Sequence, residues 1–254
     1  MEKWQGKFAV VTGASAGIGA SIIKDFALNG INVIALARRV EKIEELIAEF
    51  GESNGKIFPY KCDVSDLSSI KEAFNWIEES FSTINILVNN AGIVIKSRSI
   101  SEDEEVTEII DKTIDTNFKG IVHCSREAVR LMKKNEESSL IVNINSILGH
   151  KLSNYDSHMN VYPATKFAVT AYTEVLRQEL IHSGYKHIRV SSISPGSVKT
   201  DAVIAGKFVE THDEFYANIN SLQPGDITNT ILFLLECPPS VNITEISIRP
   251  TGEF

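Results

Sequence analysis

A chain of 254 residues with 43% hydrophobic and 23% charged residues can bury an extensive core, and its composition excludes a fibrous or disordered class. The formal net charge of −8 excludes the overall basic character typical of nucleic-acid binders and favours solubility. Three scattered cysteines, Cys62, Cys124 and Cys237, form no C-x-x-C motif and read as free thiols in a reducing compartment, with no metal site expected.

Met1 to Gly6 is too short and polar for a signal peptide, so a cytoplasmic protein is expected. KFAVVT (7–12) is a short buried-strand pattern. Ala16 to Asn29 has helical spacing and stops at Gly30. NVIALA (32–37) is a strand, and Val40 to Phe50 an amphipathic helix closed by Gly51. KIFPYKC (56–62) reads as a strand whose Pro59 suits an edge. Leu67 to Phe81 is a helix with Asp66 as its cap, and INILVNN (84–90) a strand. Asp103 to Lys133 predicts one or two long helices with a bend at Gly120. LIVNIN (140–145) is a strand, Val161 to His182 a long helix ending before Gly184, and IRVSSIS (188–194) a strand. Asp226 to Glu236 is a helix and ITEISI (243–248) a last strand. No apolar run approaches the ~18 residues of a membrane span. This alternation predicts an α/β fold, a parallel sheet with helices on both faces, in one domain without repeats or linkers.

The stretch TGASAGIG, Thr12 to Gly19, carries Gly13, Gly17 and Gly19 between a buried strand and a helix. A tight turn free of Cβ atoms lets backbone approach a pyrophosphate, and the helix N-terminus supplies N–H groups and partial positive charge. The spacing is G-x-x-x-G-x-G, so a dinucleotide is indicated by context more than by the glycines alone. An NAD site places an acid about 20 residues further on. Here the second strand ends in Leu36-Ala37-Arg38-Arg39, and an arginine fork suits a 2′-phosphate, so NADP(H) is preferred over NAD(H).

TGASAGIG, Asn89-Asn90-Ala91-Gly92, Asn117, Ser146, Tyr162-x-x-x-Lys166 and Pro195-Gly196 stand in the order and approximate spacing of the short-chain dehydrogenases/reductases. The chain resembles that family along essentially its whole length, and NINSILGH and YPATKFAVTAYTEVLRQEL resemble its insect farnesol dehydrogenase and animal ketosteroid reductase branch. The resemblance implies a doubly wound Rossmann domain with a mostly parallel seven-stranded sheet, the cofactor half at about 1–145 and the catalytic and substrate half at about 146–254. It implies Asn117, Ser146, Tyr162 and Lys166 as catalytic residues: Ser146 bonding the substrate oxygen, Asn117 holding a relay water. For the cofactor it implies Gly13, Ser15, Gly17, Ile18 and Gly19 at the phosphates, Asp63 and Val64 at the adenine, and Asn90, Ala91 and Gly92 on the adenosine side. Pro195, Gly196, Val198 and Thr200 would lie at the nicotinamide. It also implies a homodimer or homotetramer through the 106–133 and 161–182 helices.

The residues themselves explain Tyr162-x-x-x-Lys166. Carbonyl reduction leaves an alkoxide that needs a proton, and a free phenol of pKa about 10 is a poor acid–base at neutral pH. Lys166, one turn on, shares a helix face with Tyr162, and its ammonium is expected to lower the phenol pKa. Pro163 would cost ~3 kcal/mol inside a helix but not in its first turn, so it marks the helix entrance, with Asn160 or a neighbour as cap. Val203, Ile204, Phe208, Phe215 and Tyr216, with Ile147, Leu148 and Tyr155, point to an apolar pocket for a hydrophobic carbonyl or alcohol, an isoprenoid, a steroid or an aromatic ketone. His150 and His158 lie near the catalytic serine and tyrosine, where a surface role is favoured over substrate contact. A non-catalytic NADP(H)-binding sensor is the alternative. An epimerase or dehydratase would want a larger substrate region.

Overall fold

The computed structural model describes residues 1–101, 103–152, 158–211, 216 and 219–253. Seven strands form one parallel sheet: β1 (Phe8–Thr12), β2 (Asn32–Ala37), β3 (Ile57–Lys61), β4 (Ile86–Asn89), β5 (Ser139–Ile144), β6 (Ile188–Pro195) and β7 (Glu245–Ile248). Their order is β3-β2-β1-β4-β5-β6-β7, and every pairing is parallel. The expected strands are therefore all present. Pro59 lies on β3 at the sheet's edge, opposite Ala35 of β2, where its missing N–H faces no further strand.

Side chains alternate along each strand, and both faces are buried. Ala9 and Val11 of β1 and Val33 and Ala35 of β2 point to one apolar cluster, while Val10, Ile34 and Leu36 point to the other. The first cluster is covered by α1 (Gly17–Leu28), α2 (Val40–Phe50) and α8 (Pro224–Glu236, which follows the short α7, Ala202–Ala205); they contribute Ile22, Phe26, Ile43, Ile231 and Leu235. The second is covered by α3 (Leu67–Phe81), α5 (Gly120–Met132) and α6 (Tyr162–His182), through Phe74, Ile77, Leu131, Met132 and Leu176. Each fully buried Ile, Leu or Phe contributes roughly 1.5–3 kcal/mol of transfer free energy, so these stripes hold the layers together.

Helix ends follow local chemistry. Asp66 caps α3, its carboxylate accepting from Ser68 N at 2.9 Å. Pro224 opens α8 beneath a reciprocal capping box between Gln223 and Asp226. Pro163 is in the first turn of α6, as expected, but Asn160 is not the cap. Val161 occupies that position without a side-chain bond, because Asn160 adopts φ +52 and turns its Nδ2 to Ser97 Oγ at 2.9 Å.

The long 103–133 region divides otherwise than at a glycine bend. A helix α4 (Glu104–Ile114) passes into α5 through a π-helical segment, Asp115–Lys119, while Gly120 itself has an ordinary helical φ of −56°. The glycine serves close packing: a Cβ there would come within 2.7 Å of Val64 O. Gly→Ala inside a helix normally stabilises by about 1 kcal/mol. Here Gly120→Ala is expected to lower stability by roughly 1–3 kcal/mol through overpacking, read as a lower urea midpoint; a raised midpoint would contradict this packing account.

Candidate active site

In a sheet of this order the crevice opens between β1 and β4, beyond their carboxyl ends, where the strand order reverses. The phosphate loop follows β1 there. Gly13 has φ +66 and Gly17 φ +55, and a Cβ at Gly13 would stand 2.8 Å from Ala91 Cα. A Cβ at Gly19 would overlap the Gly13 carbonyl. Ala16, which precedes α1, offers no side-chain cap to the first-turn amides of Gly17, Ile18 and Gly19.

Thr12 and Asn90 clamp this loop to the end of β4. Thr12 Oγ1 accepts from Asn90 N and Ala91 N, each at 3.0 Å, and Asn90 Nδ2 donates to Thr12 O at 2.9 Å and Gly13 O at 3.2 Å. Asn90 thus has a loop-holding role beyond the small-residue segment it belongs to, and Thr12 was legible only as a strand end. Thr200, distant in sequence, lies over the same loop: its Cγ2 would be 3.1 Å from a Cβ at Gly17. Ser15 of the loop stays partly exposed.

The arginines sit at the carboxyl end of β2. Ala37 is buried and Arg38 and Arg39 are exposed, so no carboxylate occupies the strand end that an NAD site requires. At the end of β3, the Asp63 carboxylate accepts from Ser65 N at 3.0 Å and Ser65 Oγ at 2.7 Å, and Val64 is buried. Pro195 ends β6, and Gly196 N continues its ladder to Ile248 O at 2.8 Å.

Three side chains, Ser146, Tyr162 and Lys166, converge on the end of β5. Ser146 follows that strand and opens a short turn, Ile147–Gly149, accepting from Leu148 N at 3.1 Å. The turn is pressed against α6, for a Cβ at Gly149 would lie 2.7 Å from Lys166 O, and Thr170 Oγ1 donates to Gly149 O at 2.9 Å. The Tyr162 hydroxyl faces Ser146, near enough for the serine to favour the phenolate. Lys166 is 5% exposed, and its Nζ donates to Ile144 O at 2.9 Å and lies 5.6 Å from the Tyr162 ring centre.

Asn117 is fully buried in the π-helical segment. Its Oδ1 accepts from Ile93 N at 2.8 Å and its Nδ2 donates to Ile93 O at 2.7 Å, as a neighbouring strand would. Its side chain is therefore spent on backbone, with Thr165 Oγ1 3.5 Å from Nδ2. π segments recur at functional sites, and here the widened turn aims Asn117 at the 90–93 strand exit and the first turn of α6.

The electrostatics correct one expectation. Burial pushes the Tyr162 phenol up, opposed by Ser146, although the residue as a whole is only half-buried. Burial also pushes Lys166 down to about 8. The anticipated lowering of the phenol by a strong ammonium is not what governs this arrangement. Both groups share a poorly hydrated spot, where each charged form is disfavoured, and the lysine is aimed at Ile144 O.

The two histidines are held by different contacts. His150 Nε2 lies 2.9 Å from Ser194 Oγ and 3.3 Å from Glu245, facing β6 and β7. His158 has φ +44, and its carbonyl accepts from Ser97 N at 2.8 Å. Of the pocket residues, Ile147, Leu148, Val203 and Phe208 are half-buried and Ile204 is exposed. Tyr155 and Phe215 lie outside the described residues. Tyr216 turns its hydroxyl to backbone, donating to Val198 O at 2.8 Å.

Known proteins share this architecture. The chain matches the short chain dehydrogenase family over residues 7–207. It is 42% identical over 254 residues to a farnesol dehydrogenase of Aedes aegypti, covering 100% of this chain and 99% of that one. It is 37% identical over 258 residues to dehydrogenase/reductase SDR family member 11 of Homo sapiens, covering 100% and 97%. The closed form of serine dehydrogenase complexed with NADP+ has a TM-score of 0.84 at 31% identity, covering 97% of this chain and 96% of that chain. Likeness of this extent in both sequence and fold makes the chain a member of the short-chain dehydrogenase/reductase family of oxidoreductases.

Proposed function

We propose that the protein is an NADP(H)-dependent alcohol dehydrogenase or carbonyl reductase acting on a hydrophobic alcohol, ketone or aldehyde of isoprenoid or steroid-like shape. The observation that carries this reading is the meeting of Ser146, Tyr162 and Lys166 at the end of β5, beside the crevice at the strand-order reversal. One cofactor-binding half, about 1–145, and one catalytic half, about 146–254, share the sheet, and the chain works as a homodimer or homotetramer in the cytoplasm.

The residues fit the cofactor. Gly13, Ser15, Gly17, Ile18 and Gly19 would hold the pyrophosphate on backbone amides, and Arg38 and Arg39 the 2′-phosphate. Asp63, Val64, Asn90, Ala91 and Gly92 would border the adenosine. Tyr162, Lys166, Pro195, Gly196, Val198 and Thr200 would border the nicotinamide end. NADP+ in the serine dehydrogenase relative supports this preference. Bound NADP(H) would supply or accept the hydride at the carbinol carbon.

The chain's own groups manage the proton. In reduction, Ser146 and Tyr162 bond the substrate oxygen, and the phenol releases its proton to that oxygen as the C=O becomes CH–OH. The phenol, raised by burial, is protonated at neutral pH but is a weaker acid for it, so Ser146 and Lys166 must stabilise the phenolate as the proton leaves. In oxidation the same oxygen returns a proton to the phenolate, with Lys166 stabilising it and Asn117 organising the relay. The apolar Ile147, Leu148, Val203 and Phe208, together with the farnesol dehydrogenase relative, support a hydrophobic substrate.

Tyr162→Phe is expected to lower kcat with farnesol and with apolar ketones by about 10²–10⁴-fold while NADPH affinity holds. Turnover of the wild type no faster than that variant would favour a cofactor-binding sensor instead. Exchanging Arg38 and Arg39 for alanine should raise KM for NADPH by about tenfold or more and barely alter that for NADH. Equal effects on the two nucleotides would remove the NADP(H) preference.

Lys166 also gives a pH prediction. Its folded pKa of about 8 lies below the ~10.4 of an exposed lysine, so unfolding takes up a proton between those values and stability rises with pH across that window. Cys62, pushed up to about 11, works in the opposite sense but equally in a variant. The stability of wild type relative to Lys166→Met, measured by urea unfolding without nucleotide, should therefore climb by roughly 1–3 kcal/mol from pH 8 to pH 10. A flat difference would show that the buried ammonium carries no such penalty.

A further inference from the structure

The segment Gly196–Thr200 runs from the carboxyl end of β6 to the phosphate loop, and its backbone is held at several points. Ser197 O accepts from Leu222 N and Lys199 N donates to Leu222 O, each at 2.8 Å. The Tyr216 hydroxyl donates to Val198 O at 2.8 Å and accepts from Thr200 N at 3.2 Å. These are neutral bonds. Ser197 N differs, because it donates to a carboxylate oxygen, Glu253 Oε1, at 2.8 Å.

That carboxylate arrives from the far end of the sequence. Gly252 turns the chain at φ +88, and Glu253 N closes a turn to Pro250 O at 3.1 Å. Asn220 Nδ2 donates to Thr251 O at 3.0 Å, so the turn is also tied to the end of the 199–221 segment. Arg249 Nε donates to Glu253 Oε2 at 2.9 Å, bracing a side chain that is 17% exposed. Gly196 completes the fit, since a Cβ there would overlap the Glu253 carboxylate.

We propose that Glu253 is a positioning residue for the nicotinamide end of the cofactor, acting through the Gly196–Val198 backbone. This rests on the cofactor reading above. A hydrogen bond to an ionised acceptor is roughly twice as strong as a neutral one, and shielding from water preserves that advantage. The carboxylate therefore sets the height and tilt of the peptide that follows Gly196. The absence of a side chain at Gly196 is what allows the carboxylate to lie against the strand end. Glu253 belongs to none of the motifs in the glycine loop or the Tyr-Lys pair, and it acts only through main chain.

The test compares NADPH with 2′-phospho-ADP-ribose, which keeps the adenine and phosphates but lacks nicotinamide. Calorimetric titrations of both ligands are run on wild type, Glu253→Ala and Glu253→Gln, with thermal unfolding of each protein alongside. Glu253→Ala is expected to raise the Kd for NADPH by about tenfold and that for 2′-phospho-ADP-ribose by less than about twofold. Glu253→Gln keeps a neutral acceptor for Ser197 N and should recover about half of the loss on a logarithmic scale, leaving the Kd for NADPH raised about threefold. Equal weakening of both ligands would reveal a general loss of structure and overturn the proposal. If wild type binds both ligands and Glu253→Ala matches it, the positioning role alone falls. If wild type binds neither, the cofactor reading falls and takes the positioning role with it.

Discussion

The bond from Lys166 Nζ to Ile144 O joins the second turn of α6 to the carboxyl end of β5, and the candidate chemistry is arranged around that joint. A lysine that is 5% exposed must satisfy its donors from protein, and a strand-end carbonyl is the acceptor within reach. Once that contact forms, Tyr162 one turn earlier is carried to Ser146, and the Ser146 turn is pressed onto α6 by Gly149 and Thr170. Burial weakens both charges, so the same packing that aligns the groups also sets their proton affinities.

A parallel sheet makes this economical. Every strand delivers its carboxyl end to one edge, so residues far apart in sequence arrive together without special folding of the loops. The reversal of strand order between β1 and β4 opens a crevice there, and Thr12 with Asn90 fixes the phosphate loop to the end of β4 at its edge. Thr200 brings the exit of β6 over the same loop. The crevice is thus bounded by clamps between elements, each with few bonds and little freedom.

Much of this was legible beforehand. Alternating apolar and amphipathic stretches located the strands, because side chains on a sheet buried on both faces must be apolar throughout. Pro59 marked an edge and Pro163 a helix entrance, because a missing N–H is tolerated only in such places. Gly13, Gly17 and Gly19 were visible because a turn without Cβ atoms has a compositional signature. Of Asn160 or a neighbour as the cap, the position went to the neighbour Val161, since the Asn160 side chain found Ser97, a contact between segments that local pattern does not encode. Gly120 was misjudged as a bend since its constraint comes from Val64 across the fold.

The sequence by itself determined the order of strands and helices, the glycine loop, the Tyr162–Lys166 spacing and the arginines after β2. These are short-range facts, written in propensity, periodicity and one helical turn. Only the tertiary structure decided that Asn117 spends its side chain on Ile93, that His150 turns toward Ser194, that burial raises the Tyr162 phenol, and that Glu253 braces Ser197. Each of those depends on desolvation or on a partner many residues away, and neither quantity exists until the layers have packed.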